Sequence, residues 1–110
     1  MKLPNNKKAV ISRGKLTNYI LSETHITGKF KAKYFNKLGF NKANVDVFEQ
    51  SIRNIAEAQD VVEILETSYG NKYVIDGEIK SPSGIAVKVR TVWIIERRQK
   101  GPRFITVYPV

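Results

Sequence analysis

Arg90 is the residue whose type and position most clearly indicate chemistry. It lies within residues 85–96, the longest strand-like run in the chain, which reads IAVKVRTVWIIE. Because side chains alternate along a strand, the odd positions form an apolar face expected to be core, and Arg90 shares the other face with Lys88. A cation at mid-strand loses solvation unless an anionic group meets it there. We therefore predict that Arg90 contacts an anionic ligand; the alternative is a structural ion pair with Glu63 or Glu66.

His25 is the only histidine in the sequence and is the candidate for proton transfer. RNA can be cleaved by its own 2′-hydroxyl group, given a general base or acid, usually His, and cations around the phosphorane. An imidazole titrates in the required range, and Arg90 is suited to clamp a phosphate through two parallel hydrogen bonds. Hydroxyl groups would assist by donating hydrogen bonds, and the candidates are Thr91, Thr106 and Tyr108. Of these, Thr106 and Tyr108 share one face of the last predicted strand.

A metal-dependent arrangement is the alternative chemistry. Asp76, Glu78 and Lys88 resemble the carboxylate-plus-lysine set of many DNA nucleases, although their spacing is loose. The sequence contains no GxGxxG, no Walker A motif and no HExxH. It also has no cysteine and a single histidine, which excludes a Cys-type zinc site and a multi-His cluster. The metal-free reaction is therefore favoured, and neither a metal nor a cofactor is expected.

Charge is distributed unevenly along the chain, whose net charge is +9. Residues 1–44 carry a net +9, residues 45–80 a net −5, and residues 81–110 a net +5. If the two basic ends meet in the fold, they form one positive face, which is the electrostatic footprint of a nucleic-acid binder. The alternative is a solvated surface with no polyanionic partner. The expected contacts to an RNA backbone are Lys29, Lys33, Arg97 and Arg98.

Helices are predicted in the first half of the chain. Ser12 is expected to cap a short helix over about 13–21, and a second helix ends at Gly39. The third helix covers about 45–59 behind Asn44 as its cap. Its predicted buried stripe consists of Phe48, Ile52, Ile55 and Ala56.

Strands are predicted in the second half, over residues 61–67, 72–79, 85–96 and 103–108. Short turns between consecutive strands imply an antiparallel meander. Because the helices precede the strands, we predict an α+β fold with N-terminal helices packed on a four-stranded antiparallel β-meander. The length suits a single domain over residues 1–110. No apolar run approaches the roughly 20 residues that span a bilayer, and no signal-peptide core is evident, so we expect cytosolic folding and no membrane partner.

The chain resembles an uncharacterised small bacterial domain family over nearly its whole length, from about residue 3 to residue 110. That family is a domain of unknown function found alone and at the C-termini of secreted polymorphic toxins. Its pattern is H-x-x-G-x-x-K-A-x-x-F, then Y-G-x-x-Y-x-x-x-G, then R-T-x-W, then P-x-x-x-x-x-Y-P. The matching residues are His25, Gly28, Lys31, Ala32 and Phe35, then Tyr69, Gly70, Tyr73 and Gly77, then Arg90, Thr91, Trp93, Pro102, Tyr108 and Pro109.

Helices followed by such a meander, with R-T-x-W on one strand, are also similar to the barnase–EndoU–colicin–RelE group of ribonucleases. This resemblance implies metal-independent cleavage of RNA, often tRNA, by a toxin with a cognate immunity or antitoxin protein. It implies that His25 acts as general base or acid, that Lys31 and Arg90 hold the phosphate, and that Thr91 and Tyr108 assist. We therefore expect a toxin-like endoribonuclease, cytoplasmic or delivered into target cells within a larger toxin. The alternative is a non-catalytic basic module that binds nucleic acid or protein.

Overall fold

The computed structural model describes residues 1–17 and 29–110, with the side chains of residues 29–31 outside the description. Within this part of the chain, helices come first and strands follow, as predicted. The helices are α1 (Arg13–Lys15), α2 (Lys29–Lys37) and α3 (Val45–Ala58), with short 3₁₀ turns at Asn6–Lys8 and Lys42–Asn44. The strands are β1 (Glu63–Glu66), β2 (Gly70–Lys80), β3 (Ala86–Glu96) and β4 (Arg103–Pro109).

The strands form one antiparallel sheet in the order β1-β2-β3-β4, which confirms the predicted meander and the α+β class. The N-terminal lead-in continues the sheet beyond β4. There, the N–H of Val10 donates to the carbonyl of Pro102 at 2.9 Å, and the N–H of Phe104 donates to the carbonyl of Val10 at 2.9 Å. This short pairing is parallel and brings the beginning of the chain to the edge of its last strand.

Helix α3 covers one face of the sheet. Its predicted stripe is buried, and Val45 is buried with it. Gly77 on β2 permits this packing, because a Cβ atom there would lie 2.7 Å from Cγ1 of Ile55. Asn44 occupies the predicted N-cap position, but its side chain makes no capping bond to α3. It instead accepts a hydrogen bond from the N–H of Asn41 at 2.8 Å.

Helix α2 ends in the way that Gly39 predicts. The glycine has φ +99°, and its N–H donates to the backbone carbonyl of Asn36 at 3.0 Å. The N–H of Phe40 donates to the carbonyl of Phe35 at 3.1 Å. This pair of bonds is a Schellman motif. The turn directs Phe40 back toward the core, where Phe35 and Phe40 both pack near Phe48 of α3.

The two faces of β3 differ as the alternation predicts. Val89, Thr91 and Trp93 are fully buried on the face that α3 covers. Ile85, which the sequence placed on this core face, is 56% exposed because it precedes β3 in the turn. The opposite face of the sheet, called the open face below, carries Arg90. Ile94 and Val74 on this face are buried, so it is open to a ligand around Arg90 and Lys88.

Candidate active site

Arg90 and Asp76 form the centre of the open face. They lie opposite each other on β3 and β2. The Arg90 Nε donates to Oδ1 of Asp76 at 2.7 Å, and Nη2 donates to Oδ2 at 2.9 Å. This bidentate geometry fixes the plane of the guanidinium group. Both side chains remain about a third exposed.

The charges of this pair stabilise each other. The hydrogen bond from Arg90 holds the pKa of the Asp76 carboxyl below its ordinary value, against the opposing effect of burial. In turn, the Asp76 carboxylate raises the pKa of Arg90, and a hydrogen bond with Tyr108 adds to that effect. Both groups are therefore charged at neutral pH. Arg90 does have an ionic partner, but Glu63 and Glu66 were the wrong acids to expect, because β2 lies between β1 and β3.

Tyr108 and Thr106 share the open face, as predicted from their spacing on the last strand. Tyr108 lies opposite Arg90, and Thr106 lies opposite Val92 in the next row of the sheet. Both side chains are half-buried. A row of three side chains therefore crosses β2, β3 and β4 on the open face, and it consists of Asp76, Arg90 and Tyr108.

The candidate metal set also comes together. Glu78 and Lys88 lie opposite each other, one row from Asp76 and Arg90, and both are exposed. Both oxygens of Asp76 already accept hydrogen bonds from Arg90, which leaves it poorly available as a metal ligand. In the described part of the chain, no three His, Cys, Asp or Glu residues are grouped so that they could hold a metal ion. A cavity of about 470 Å³ opens beside Asp76, lined by Gln59, Asp76, Gly77, Glu78, Lys88 and Val110.

Thr91 does not belong to this site, which corrects its predicted catalytic role. Its side chain points to the covered face and is fully buried. The hydroxyl group donates to the carbonyl of Ile75 at 2.8 Å and accepts from Nε1 of Trp93 at 2.9 Å. Because adjacent residues of a strand point to opposite faces, Thr91 and Arg90 cannot contact the same phosphate.

The predicted backbone-binding cations are spread over separate regions. Arg97 and Arg98 follow the end of β3 at Glu96, which lies about 20 Å along the strand from Arg90 at ~3.3 Å per residue. Lys33 is exposed on α2, whose buried Phe35 packs against Phe48 in the helix layer. The sheet separates that layer from the open face. His25 and the side chains of Lys29 and Lys31 fall outside the described residues.

Residues 2–110 match the family described as a domain of unknown function, DUF6883. The chain belongs to the DUF6883 family. Among curated proteins, no relative matches its sequence. In the described part of this DUF6883 chain, no helix is both long and apolar enough to cross a bilayer.

A solved structure shares the fold of this DUF6883 domain. It is a chain of a contact-dependent growth inhibition toxin–immunity protein complex from Klebsiella pneumoniae 342. The TM-score is 0.72, with 18% sequence identity over 92% of this chain and 99% of that chain. At this level of identity the likeness shows a common fold, and residue roles do not transfer from it.

Proposed function

We propose that this DUF6883 domain is a toxin-type endoribonuclease that cleaves RNA without a metal ion, through attack by the 2′-hydroxyl group of the RNA. The observation that carries the proposal is the row across the open face, in which Asp76 orients Arg90 and Tyr108 lies beside it. The net charge of +9 supports a polyanionic substrate. The fold shared with a chain of a toxin–immunity complex supports a toxin context.

The guanidinium group of Arg90 has the geometry that this reaction needs. A guanidinium carries five N–H donors in one plane. Asp76 accepts hydrogen bonds from the single N–H of Nε and from one N–H of Nη2. Arg90 also shares a hydrogen bond with Tyr108, and its remaining N–H groups can donate to the oxygens of a phosphate. As the 2′-oxygen loses its proton and bonds to phosphorus, negative charge grows on the non-bridging oxygens. A cation that is already oriented stabilises this charge without reorganising.

The remaining steps require proton transfer. The bond between phosphorus and the 5′-oxygen breaks, and the leaving oxygen takes up a proton, which leaves a 2′,3′-cyclic phosphate and a 5′-hydroxyl. We assign this proton transfer to His25, as general base or acid, and assign Lys31 as a second phosphate contact. Tyr108 and Thr106 donate hydrogen bonds from the open face. The cavity of about 470 Å³ beside Asp76 has a size typical of small-ligand sites and would hold a nucleoside next to this partner of Arg90.

A cognate immunity protein is part of the same proposal. To block the site, it would cover the open face and bring acidic side chains to Arg90 and Lys88. Expression of the chain in a bacterial host is expected to arrest growth, and co-expression of a cognate immunity protein is expected to restore it. Growth arrest that Arg90→Ala leaves unchanged would argue against this site as the toxic one.

The direct test is incubation of the purified protein with total bacterial RNA in EDTA. We expect discrete products that carry 5′-hydroxyl ends, and no cleavage where the attacking nucleotide is 2′-deoxy. Arg90→Ala should lower the rate by about 10²–10³-fold, and His25→Ala by about 10²–10⁴-fold. Arg13→Ala is the matched control, because Arg13 forms an exposed ion pair with Glu49 at 3.2 Å on the helix layer. This control variant should cleave at the wild-type rate.

Other outcomes would redirect the proposal. Cleavage that requires Mg²⁺ would move the site to Asp76, Glu78 and Lys88. Intact RNA under both conditions, together with salt-sensitive binding, would identify a non-catalytic basic binding module instead.

A further inference from the structure

Two distant basic segments meet at the end of β3 that lies away from Arg90. The side-chain amide of Asn5 donates to the carbonyl of Lys100, and the 3₁₀ turn Asn6–Lys8 follows directly. Gly101 allows the close approach, since a Cβ atom there would lie 3.1 Å from the carbonyl oxygen of Lys8. The result is a group of exposed cations, called the turn cluster, which consists of Lys7, Lys8, Arg97, Arg98 and Lys100.

The cations of the turn cluster have no acidic partners in the described part of the chain. None of them forms an ion pair within 4.0 Å, whereas nearby Arg103 pairs with Glu96, and Lys2 pairs with Asp60. Grouped like charges repel one another, and a polyanion relieves that repulsion. The turn cluster therefore favours a ligand with several regularly spaced negative charges.

The backbone at Arg98 is strained. It has φ +70°, in a turn closed by the N–H of Gln99 donating to the carbonyl of Glu96 at 3.0 Å. At this φ, glycine and asparagine are common and arginine is not. Strained conformations of this kind gather at binding sites, where the side chain is needed despite the cost. The turn thus holds a guanidinium group outward at a position where glycine would fit better.

We propose that the turn cluster binds the phosphate backbone of single-stranded RNA. This inference rests on the proposed function for the identity of the ligand, and it adds a second contact region to the same substrate. Arg98 lies in the turn beyond Glu96, and Glu96 is about 20 Å along β3 from Arg90 at ~3.3 Å per residue, so one phosphate cannot contact both. The turn cluster anchors a longer RNA whose scissile phosphate lies at Arg90.

The test is binding of a fluorescent single-stranded 2′-O-methyl RNA of twenty nucleotides, which cannot undergo 2′-hydroxyl attack. Arg98→Gly should weaken binding about five-fold at 0.1 M salt and lower the slope of log K against log [salt] by about 0.7. Its melting temperature should not fall, because glycine accepts the backbone conformation without strain. Arg98→Lys keeps the charge and should retain most of the affinity.

Lys42→Ala is the matched control, since Lys42 is an exposed cation in the 3₁₀ turn Lys42–Asn44. That turn follows Gly39, which contacts Pro82 at the opposite end of β3 from the turn cluster. The length of β3, about 33 Å at ~3.3 Å per residue, exceeds the screening length of about 10 Å at 0.1 M salt. This variant should bind RNA as the wild type does.

Three outcomes would overturn the inference. They are wild-type affinity in Arg98→Gly, an equal loss in Lys42→Ala, and no binding of the RNA by the wild-type protein. The proposed catalysis is tested separately by cleavage of a dinucleotide, which is too short to reach the turn cluster. Arg98→Gly should raise KM for long RNA. Binding without any cleavage would overturn the proposed enzyme and leave the turn cluster supported.

Discussion

The indole N–H of Trp93 donates a hydrogen bond to the hydroxyl group of Thr91, 2.9 Å away on the buried face of β3. The same hydroxyl donates to the carbonyl of Ile75 at 2.8 Å. The sequence R-T-x-W therefore has two separate roles. Thr91 and Trp93, two positions apart, form a hydrogen bond with each other inside the core. Arg90 points to the opposite face. Thr91 and Trp93 of this motif stabilise the fold, and of its three defined residues only Arg90 is available to a ligand.

Replacing Thr91 with valine tests this division. Thr91→Val keeps the shape of the side chain but leaves the buried indole N–H of Trp93 without an acceptor, so it should destabilise the protein by about 1–3 kcal/mol. Thr91→Ser keeps the hydroxyl group and should cost less. Urea unfolding measures both, and RNA cleavage per folded molecule should match the wild type. A Thr91→Val protein of normal stability with lost cleavage would restore Thr91 as a catalytic candidate.

The ion pair between Asp76 and Arg90 predicts a defined dependence on pH. Because the pKa of Asp76 is lowered from 3.8 on folding, its contribution to stability is present above that value and is lost as the pH falls through the folded pKa. Asp76→Asn should therefore melt at a lower temperature than the wild type at pH 7. The difference in melting temperature between the two proteins should shrink below about pH 3.8 and disappear in stronger acid. A gap that persists unchanged at low pH would mean that the carboxylate charge is not its source.

Asp76→Asn also distinguishes two roles for Asp76, which are positioning Arg90 for catalysis and binding the substrate. Without the bidentate partner, Arg90 loses its fixed plane, and misplacement of a catalytic group can cost about 10²-fold in rate. Asp76→Asn should lower kcat by this order while changing KM little. If KM rises and kcat stays constant, Asp76 has a role in substrate binding instead.

The sequence was informative wherever local periodicity decides the structure. Alternation along β3 correctly separates Arg90 from Trp93, and the stripe around Phe48 correctly identifies the covered side of α3. The partner of Arg90 depends on strand register. In the hairpin of β2 and β3, the even-numbered residues of both strands share a face, which places Asp76 within reach of Arg90. The order of the meander already separates β1 from β3, so Glu63 could have been excluded by topology.

Contacts between residues that are far apart in the sequence could not be predicted from local periodicity. Asn5 and Lys100 are 95 residues apart in sequence, and no periodicity encodes the pairing of the lead-in with β4 that brings them together. The uneven charge along the chain suggested that the basic ends would form one face if they met. Their meeting point lies away from Arg90, because the turn after β3 begins beyond Glu96, six residues further along the strand. The positive φ of Arg98 likewise has no signature in its sequence.

Gly77 provides a test of how the helix layer sets the position of the sheet. A Cβ atom at this residue would lie 2.7 Å from Cγ1 and 2.9 Å from Cγ2 of Ile55. Gly77→Ala should therefore destabilise the protein by about 1–3 kcal/mol through overpacking. In combination with Ile55→Val, the cost should be smaller than the sum of the two single changes, since the residues are in contact. Additive effects in urea unfolding would show that α3 shifts to accommodate the methyl group.

Tyr108 is one of the two β4 residues, with Thr106, whose hydroxyl groups the proposed reaction uses. Tyr108→Phe keeps the ring that packs on the open face and removes the hydrogen-bonding group beside Arg90. Removing one donor from a charge-stabilising site costs about 10²–10³-fold in kcat, and we expect a loss toward the lower end because Arg90 remains. Tyr69→Phe is the matched control, because Tyr69 is 75% exposed in the turn before β2. Cleavage rates that fall equally in both variants would show that Tyr108 has no specific role in the site. A loss confined to Tyr108→Phe would place the scissile phosphate between β3 and β4.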